Sequence, residues 1–422
     1  MRIRRTIPPA AAPIHLKNLL HGLAGLFSGK AYLRKFETEL KEYFGVKHVY
    51  VTSSGKAALT VTLRALASLS PGKSHVLIPA YTCFSVPSAI VKAGLNPSLC
   101  DINSATLDFD GELLRDALDR ETLCVIATHL FGVPSAVEKI RDICLDRNIF
   151  VVEDAAQAMG GSHRGRYLGT IGDVGFFSLG RGKNITCGSG GIIVTNSDRI
   201  AAALEKEYSS LQFPNIIETV SELLKVLIMS IFIRPSLYWL PSGLPFLKLG
   251  ETVFHEDFPL RKLSGMQAGL LRGWQRNLEV SNRKRRENAA YFIEHVLLPG
   301  KKRASVPYLR LPFLLEEQEM RESICSRLQK EGMGISRMYP SSINEIERLK
   351  DQFRGKEFLS ATLVAERLLT VPTHHLLRKK DREKICLLLQ ETLSILPPAV
   401  SNPESPDSMQ NQLKNRKLSL IQ

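Results

Sequence analysis

Short apolar runs separated by helically spaced blocks organise the first half of the chain. His48–Val51, His75–Pro79, Ser98–Ile102, Leu123–His129 and Phe150–Asp154 read as buried strands. Between them the apolar positions take a helical period: from Gly55 to about Leu69, up to Ala93, over 111–119, and over Ser135–Arg147 with apolar residues at 137, 140, 143 and 144. Strand and helix alternate at close spacing, which predicts an α/β fold with a mostly parallel sheet sandwiched by helices. Ligands in such sheets sit beyond the carboxyl ends of the strands.

The flanks read differently. Residues 1–30 form an N-terminal arm with a short helix around His15–Phe27. Ala31–Phe44 has helical spacing at Leu33, Phe36, Leu40 and Phe44 and ends at Gly45. After a helix at 199–209 comes an unusual apolar stretch, Leu223–Leu240. Lys225 and Arg234-Pro235 cut it short of the ~20 residues a membrane span needs. It reads as a buried or subunit-interface hairpin, or as an interfacial membrane helix with Tyr238 and Trp239 at headgroup level; the buried reading is preferred. The large domain is therefore expected over 31–262, with an apolar insertion at 221–250.

From Ser264 the pattern is helical again, and one long helix over Gly265–Leu297 is expected to cross to a second domain. There Arg310–Leu315 reads as a strand, Glu316–Lys330 as a helix stopped by Gly332, Gly334–Tyr339 as a strand, and 361–369 and 380–393 as helices. This is a small α+β C-terminal domain, 263–397. Residues 398–422 are rich in Pro, Ser, Asn and Gln and read as a disordered tail.

Composition changes this picture little. Hydrophobic content of 44% and charged content of 23% are those of an ordinary globular protein. The formal charge of +14, from 56 basic and 42 acidic residues, is scattered in clusters such as Arg283-Lys284-Arg285-Arg286. Those read as solvated helix faces. No nucleic-acid motif accompanies them, so nucleic acid is not expected as a partner. The seven cysteines form no C-x-x-C pair, which argues against a zinc site and for a reducing compartment. The basic N-terminus lacks a continuous apolar core with a cleavage site, so a cytoplasmic location is expected.

The candidate chemistry sits at the predicted strand ends. Thr52-Ser53-Ser54-Gly55-Lys56 joins a strand to a helix, and the free amides and dipole of that helix start favour a phosphate. Phe150–Asp154 is a buried strand ending in acids, followed by Ala155-Ala156-Gln157-Ala158. Phe176-Phe177-Ser178 leads into a polar, Gly-rich loop that carries Lys183, and Gly190-Gly191-Ile192-Ile193-Val194 leads out. A carboxylate on a strand and a lysine on the next loop are what pyridoxal phosphate chemistry needs: the lysine attaches the cofactor covalently and the acid pairs with its ring nitrogen. His129 is a further polar residue at a strand end, whereas His374 and His375 read as structural.

With these residues in place, the sequence resembles the DegT/StrS-type nucleotide-sugar aminotransferases, a branch of the fold-type-I pyridoxal phosphate enzymes. The resemblance is densest in Ser53–Leu59, Ile78–Thr82, Val152–Ala158 and Phe177–Gly191. It implies that Lys183 bonds the cofactor and moves the substrate proton, that Asp154 keeps the ring nitrogen protonated, and that Gln157 lies beside the ring. The amides at Gly55 and Lys56, with the Ser178 hydroxyl, would hold the phosphate. Cys83 stands where an aromatic residue usually stacks on the ring, so that either Tyr81 or Phe84 serves instead or the ring is less tightly clamped. Leu260, with Arg261 beside it, stands where an asparagine usually reaches the partner subunit's phosphate. The implied activity is transfer of an amino group from glutamate to a nucleotide-linked keto sugar by a homodimer, in amino-sugar or polysaccharide biosynthesis. The alternatives are a sugar dehydratase on the same fold, which carries histidine in place of the lysine, and a non-catalytic family member touching a membrane through 223–240.

Overall fold

The computed structural model describes residues 5–12, 14–244, 252–297, 306–395 and 419–420. Two helices, α1 (Leu16–Gly25) and α2 (Gly29–Phe44), precede the alternating region. That region runs β1 (His48–Thr52), α3 (Gly55–Leu69), β2 (His75–Pro79), α4 (Ser85–Lys92), β3 (Asn96–Cys100), α5 (Gly111–Ala117), β4 (Thr122–Thr128), α6 (Val137–Leu145) and β5 (Phe150–Asp154). A small hairpin, β6 (Ser162–His163) and β7 (Arg166–Tyr167), leads to β8 (Val174–Ser178) and β9 (Gly191–Thr195).

Seven of these strands make one sheet in the order β1-β9-β8-β5-β4-β2-β3. The pairs β2–β3, β2–β4, β4–β5 and β5–β8 are parallel, and β9 is antiparallel to both its neighbours. All seven residues of β4 are buried, as expected for a strand covered on both faces. The α/β reading therefore holds, with one reversed strand. The reversal matters: Ser178 pairs with Gly191, so the loop 179–190 that carries Lys183 is pinned at both ends.

Beyond the sheet come α7 (Asp198–Ser209), α8 (Ile216–Phe232) and α9 (Trp239–Ser242), then α10 (Gly265–Leu270) and α11 (Trp274–Phe292). The second domain holds β10 (Arg310–Leu314), α12 (Gln318–Lys330), α13 (Leu359–Arg367), β11 (Leu368–Pro372) and α14 (Lys379–Ile395). Of the expected tail, Ser419–Leu420 is described, as strand β12 pairing with β10; residues 398–418 lie outside the described residues.

Several expectations need correction. The long helix over 265–297 is broken, because Gly273 adopts a left-handed φ of 72° and starts α11 afresh. Met266, Leu270, Trp274 and Leu278 pack in the large-domain core, so the second domain's own core begins only near Ala289 and Phe292. The expected strand at Gly334–Tyr339 is reduced to one bridge, Ser336 to Thr370. Gly334 and Met338, at φ 70° and 68°, turn the chain out of strand geometry on either side.

The apolar stretch is no buried hairpin: it comprises the second half of α8, a turn and the start of α9. Thr219, Leu223 and Val226 face the body. Ile217, Val220, Leu224, Ile228 and Ile231 follow helical spacing on another face and are exposed. Among the described residues no helix is long and apolar enough to cross a membrane.

The arm is tied to the second domain. Ile7 lies in that domain's core, Arg5 pairs with Asp381 at 2.7 Å, and His374 Nε2 donates to the Pro8 carbonyl at 2.8 Å. Burial drives the pKa of His374 down to about 3 and that of His375 to about 4. The unfolded chain protonates both near pH 6.5, whereas the fold keeps them neutral, so stability falls as pH drops below about 6.5. Fully buried His374 contributes a slope near 1.4 kcal/mol per pH unit, and half-buried His375 less. Urea midpoints at pH 7.5 and 5.5 check this: the lower pH gives the lower midpoint, and His374→Gln reduces the difference.

Candidate active site

The site is built where α3 begins and where β2, β5 and β8 end. Ser54 caps α3, accepting a hydrogen bond from the Ala57 amide at 3.1 Å. That leaves the Gly55 and Lys56 amides at the positive end of the helix, without intrahelical partners. A Cβ on Gly55 would stand 3.0 Å from Ser178 Cβ and 3.1 Å from its Oγ. Glycine is what lets the helix start approach the end of β8 this closely. Gly55, Lys56, Cys83, Asp154, Gln157, Ser178 and Lys183 thus line one cavity of about 190 Å³. Clefts of about 800 Å³ near Asp110 and about 570 Å³ near Trp274 are larger, but neither joins a lysine to a buried carboxylate at a helix start.

Asp154 is the buried acid of the cavity. Burial pushes its carboxyl pKa up, while the Ala156 amide and the charge of Lys183 oppose the shift. One carboxylate oxygen accepts from the Ala156 amide at 3.0 Å; no cation is hydrogen-bonded to Asp154 among the described residues. Its neighbour Glu153 points to the opposite side. Burial would raise the Glu153 pKa, but His129 and the amides of Gly172 and Gly169 hold it below its usual value. His129 Nδ1 accepts from the Ser135 amide at 3.0 Å, so the ring proton sits on Nε2 and is donated to Glu153 at 2.8 Å. His129 therefore braces the strand beneath Asp154 and does not line the cavity.

Tyr81 and Phe84 do not line it either. Cys83 is the half-buried residue of that turn, and the flanking rings turn into the core against Tyr339, with centroids 5.4 Å and 6.5 Å away. The cavity wall there is a thiol rather than an aromatic face. Gln157 uses its amide to join parts of the molecule: Oε1 accepts from the Phe131 amide at 3.1 Å and Nε2 donates to the Tyr339 hydroxyl at 2.8 Å. Leu260 lies on the chain just before α10 and packs against the core that contains Tyr81.

The Lys183 loop is clamped by α10 and α11. Gln267 completes a capping box with Ser264 and donates to the Ser189 carbonyl at 2.7 Å. Ser281 Oγ donates to the Asn184 carbonyl at 2.9 Å, and the Asn184 side-chain amide donates to Asn282 Oδ1 at 2.9 Å. Arg285 is fully buried. Its guanidinium donates to the carbonyls of Lys183 at 3.3 Å, Ala11 at 3.1 Å and Leu309 at 2.7 Å. Loop, arm and second domain thus meet on one side chain. The charge-cluster reading missed it; the signal was periodic, since Leu278, Ser281, Asn282, Arg285, Ala289 and Phe292 share the buried face of α11.

Pyridoxal phosphate suits these residues. The Gly55–Ser178 contact makes a recess that a Cβ would fill, at a helix start that favours a phosphate. Among the described residues no cation is hydrogen-bonded to buried Asp154, the contact a protonated ring nitrogen would supply. Lys183 brings an amine to the same cavity.

A sequence profile described as the DegT/DnrJ/EryC1/StrS aminotransferase family matches residues 22–212 and 260–390. The GDP-perosamine synthase of Vibrio cholerae is 34% identical over 169 residues, which are 40% of this chain and 46% of that protein. The match thus spans less than half the length of this curated relative. Among solved structures, Helicobacter pylori PseC, described as an aminotransferase involved in the biosynthesis of pseudoaminic acid, superposes with a TM-score of 0.75 at 17% identity, over 93% of this chain and 100% of that one. An E. coli GDP-4-keto-6-deoxy-D-mannose-3-dehydratase with bound hydrated PLP gives 0.69 at 18% identity, over 92% and 100%. These two likenesses establish the fold.

Proposed function

The chain belongs to the DegT/DnrJ/EryC1/StrS aminotransferase family, and from that premise we propose that it is a pyridoxal phosphate-dependent aminotransferase. It moves an amino group from glutamate to the keto group of a nucleotide-linked sugar. The observation that carries this reading is the meeting of Lys183, Asp154 and the Gly55–Ser178 recess in one cavity. When bound, the cofactor supplies an electron sink that weakens a C–H bond beside the amino group.

The chain's own residues then have separate tasks. The amides of Gly55 and Lys56 and the Ser178 hydroxyl hold the phosphate. Asp154 holds a proton on the ring nitrogen. Lys183 carries the cofactor and, as a free amine, takes the proton from the donor's Cα and returns one to the sugar carbon. Gln267, Ser281 and Arg285 fix the backbone on either side of that lysine. A homodimer is part of the proposal, on the strength of the family resemblance.

Asp154→Asn tests the ring-nitrogen role. The substitution keeps the shape and removes the charge, so the half-reaction with glutamate slows by at least about 10²-fold, a magnitude typical of losing one preorganised electrostatic partner. Single-turnover absorbance measures it, and a rate within a factor of three of the parent excludes the role.

Sugar dehydration is the second reading, favoured by the likeness to the E. coli dehydratase structure. The lysine at position 183 opposes it. A keto-sugar product that has lost a hydroxyl as water and carries no nitrogen from glutamate decides for dehydration.

A further inference from the structure

Lys56 is a second lysine in the cavity, and its side chain has no task in the reaction described above. It occupies the first turn of α3, directly after the glycine that makes the recess. Its ammonium lies 2.6 Å from His255 Nε2 and 4.3 Å above the Phe258 ring. Neither partner is anionic, and among the described residues Lys56 makes no ion pair. Half-burial without a counter-charge presses its pKa down to about 8, with nearby Cys83 opposing the shift. A cation held against an aromatic face and an imidazole, next to a helix start, is primed for an anion that arrives later.

The other cavity lysine cannot fill this part. Lys183 is committed to the cofactor's carbonyl carbon in the proposed chemistry, and Asp154, the acid lining the cavity, repels a phosphate. Helix amides and one hydroxyl supply hydrogen bonds and partial charge, but not a whole positive charge. His255 and Phe258, which hold Lys56, fall in the stretch 213–259 that the family profile leaves unmatched.

We propose that the ammonium of Lys56 is the side-chain cation that binds the phosphate group of the cofactor, leaving His255 to meet it. This rests on the reading that the cavity holds pyridoxal phosphate. The positive charge then complements a dianion in a partly desolvated site, where a charge-assisted contact is strong.

The test compares pyridoxal phosphate with pyridoxal, which lacks the phosphate, on the parent protein, Lys56→Met and Lys56→Arg. Dissociation constants come from the visible absorbance of the bound cofactor, independent of turnover. Lys56→Met is expected to weaken pyridoxal phosphate by about ten-fold or more while leaving pyridoxal within about two-fold, and Lys56→Arg retains most of the preference. Equal weakening of both ligands assigns Lys56 a structural role and overturns the proposal, as does an unchanged preference in Lys56→Met. If the parent protein binds neither ligand, the cofactor reading itself fails, and this proposal with it.

Discussion

Lys183→Ala lowers the glutamate half-reaction by at least about 10³-fold, the upper part of the range for losing a positioned acid–base group. It also removes the visible absorbance of lysine-bound cofactor. Two lysines line the cavity, and Lys183 is the one on the loop pinned between Ser178 and Gly191 and clamped by α10 and α11. Among the described residues, Lys183 is the lysine whose charge acts on Asp154, so no second amine stands ready there as the base. The variant is expected to keep its fold, and in the proposed reading to keep pyridoxal phosphate at the Gly55 recess, so that the loss lies in rate and covalent attachment. Thermal unfolding within a few degrees of the parent separates the two. Retention of the absorbance band moves the covalent bond to Lys56 and overturns the assignment.

Arg285→Met gives the largest loss of stability, at least about 3 kcal/mol. The substitution preserves much of the side-chain volume and removes the guanidinium. The buried carbonyls of Ala11 and Leu309 and the part-buried carbonyl of Lys183 then lose a charged donor. Each such buried acceptor left bare costs about 1–3 kcal/mol, and the costs do not add fully because the backbone relaxes. Burial, and then the nearby charge of Arg310, press the Arg285 pKa down to about 9, so it remains cationic at neutral pH. Because one of its acceptors is Lys183's own carbonyl, turnover should fall as well, even where the variant is folded. Denaturant midpoints measure the first effect. A midpoint equal to the parent's shows that the clamp is not needed for stability.

The sheet and the cavity were legible for a physical reason. Strands covered on both faces leave continuous apolar runs, and Ser54-Gly55, Asp154 and the Gly-rich loop sit where those runs stop. The second domain was less legible. A single glycine inside a helical pattern is usually tolerated, so Gly273 gave no warning that the helix restarts there. Gly334 and Met338 break a segment whose composition reads as a strand. The clamp on the Lys183 loop escaped because Ser281, Asn282 and Arg285 are polar, and polar residues in a basic run read as solvated. Their helical spacing with Leu278 and Phe292 was the available clue. Helix α8 misled in the opposite way: its outward isoleucines and leucines looked like core, although only Thr219, Leu223 and Val226 face the body. The resemblance implied either an aromatic from Tyr81 or Phe84 over the cofactor or a less tightly clamped ring, and the turn presents Cys83 to the cavity.

The most direct test is transfer of labelled nitrogen. The purified protein is incubated with glutamate carrying heavy nitrogen and a panel of nucleotide-linked keto sugars, and products are read by mass spectrometry, with Lys183→Ala alongside. Heavy nitrogen is expected in the sugar of at least one nucleotide-linked product, together with 2-oxoglutarate, and neither product from Lys183→Ala. Protein that is loaded with cofactor but transfers no label to any sugar in the panel, or that gives the same product from Lys183→Ala, contradicts the proposed function.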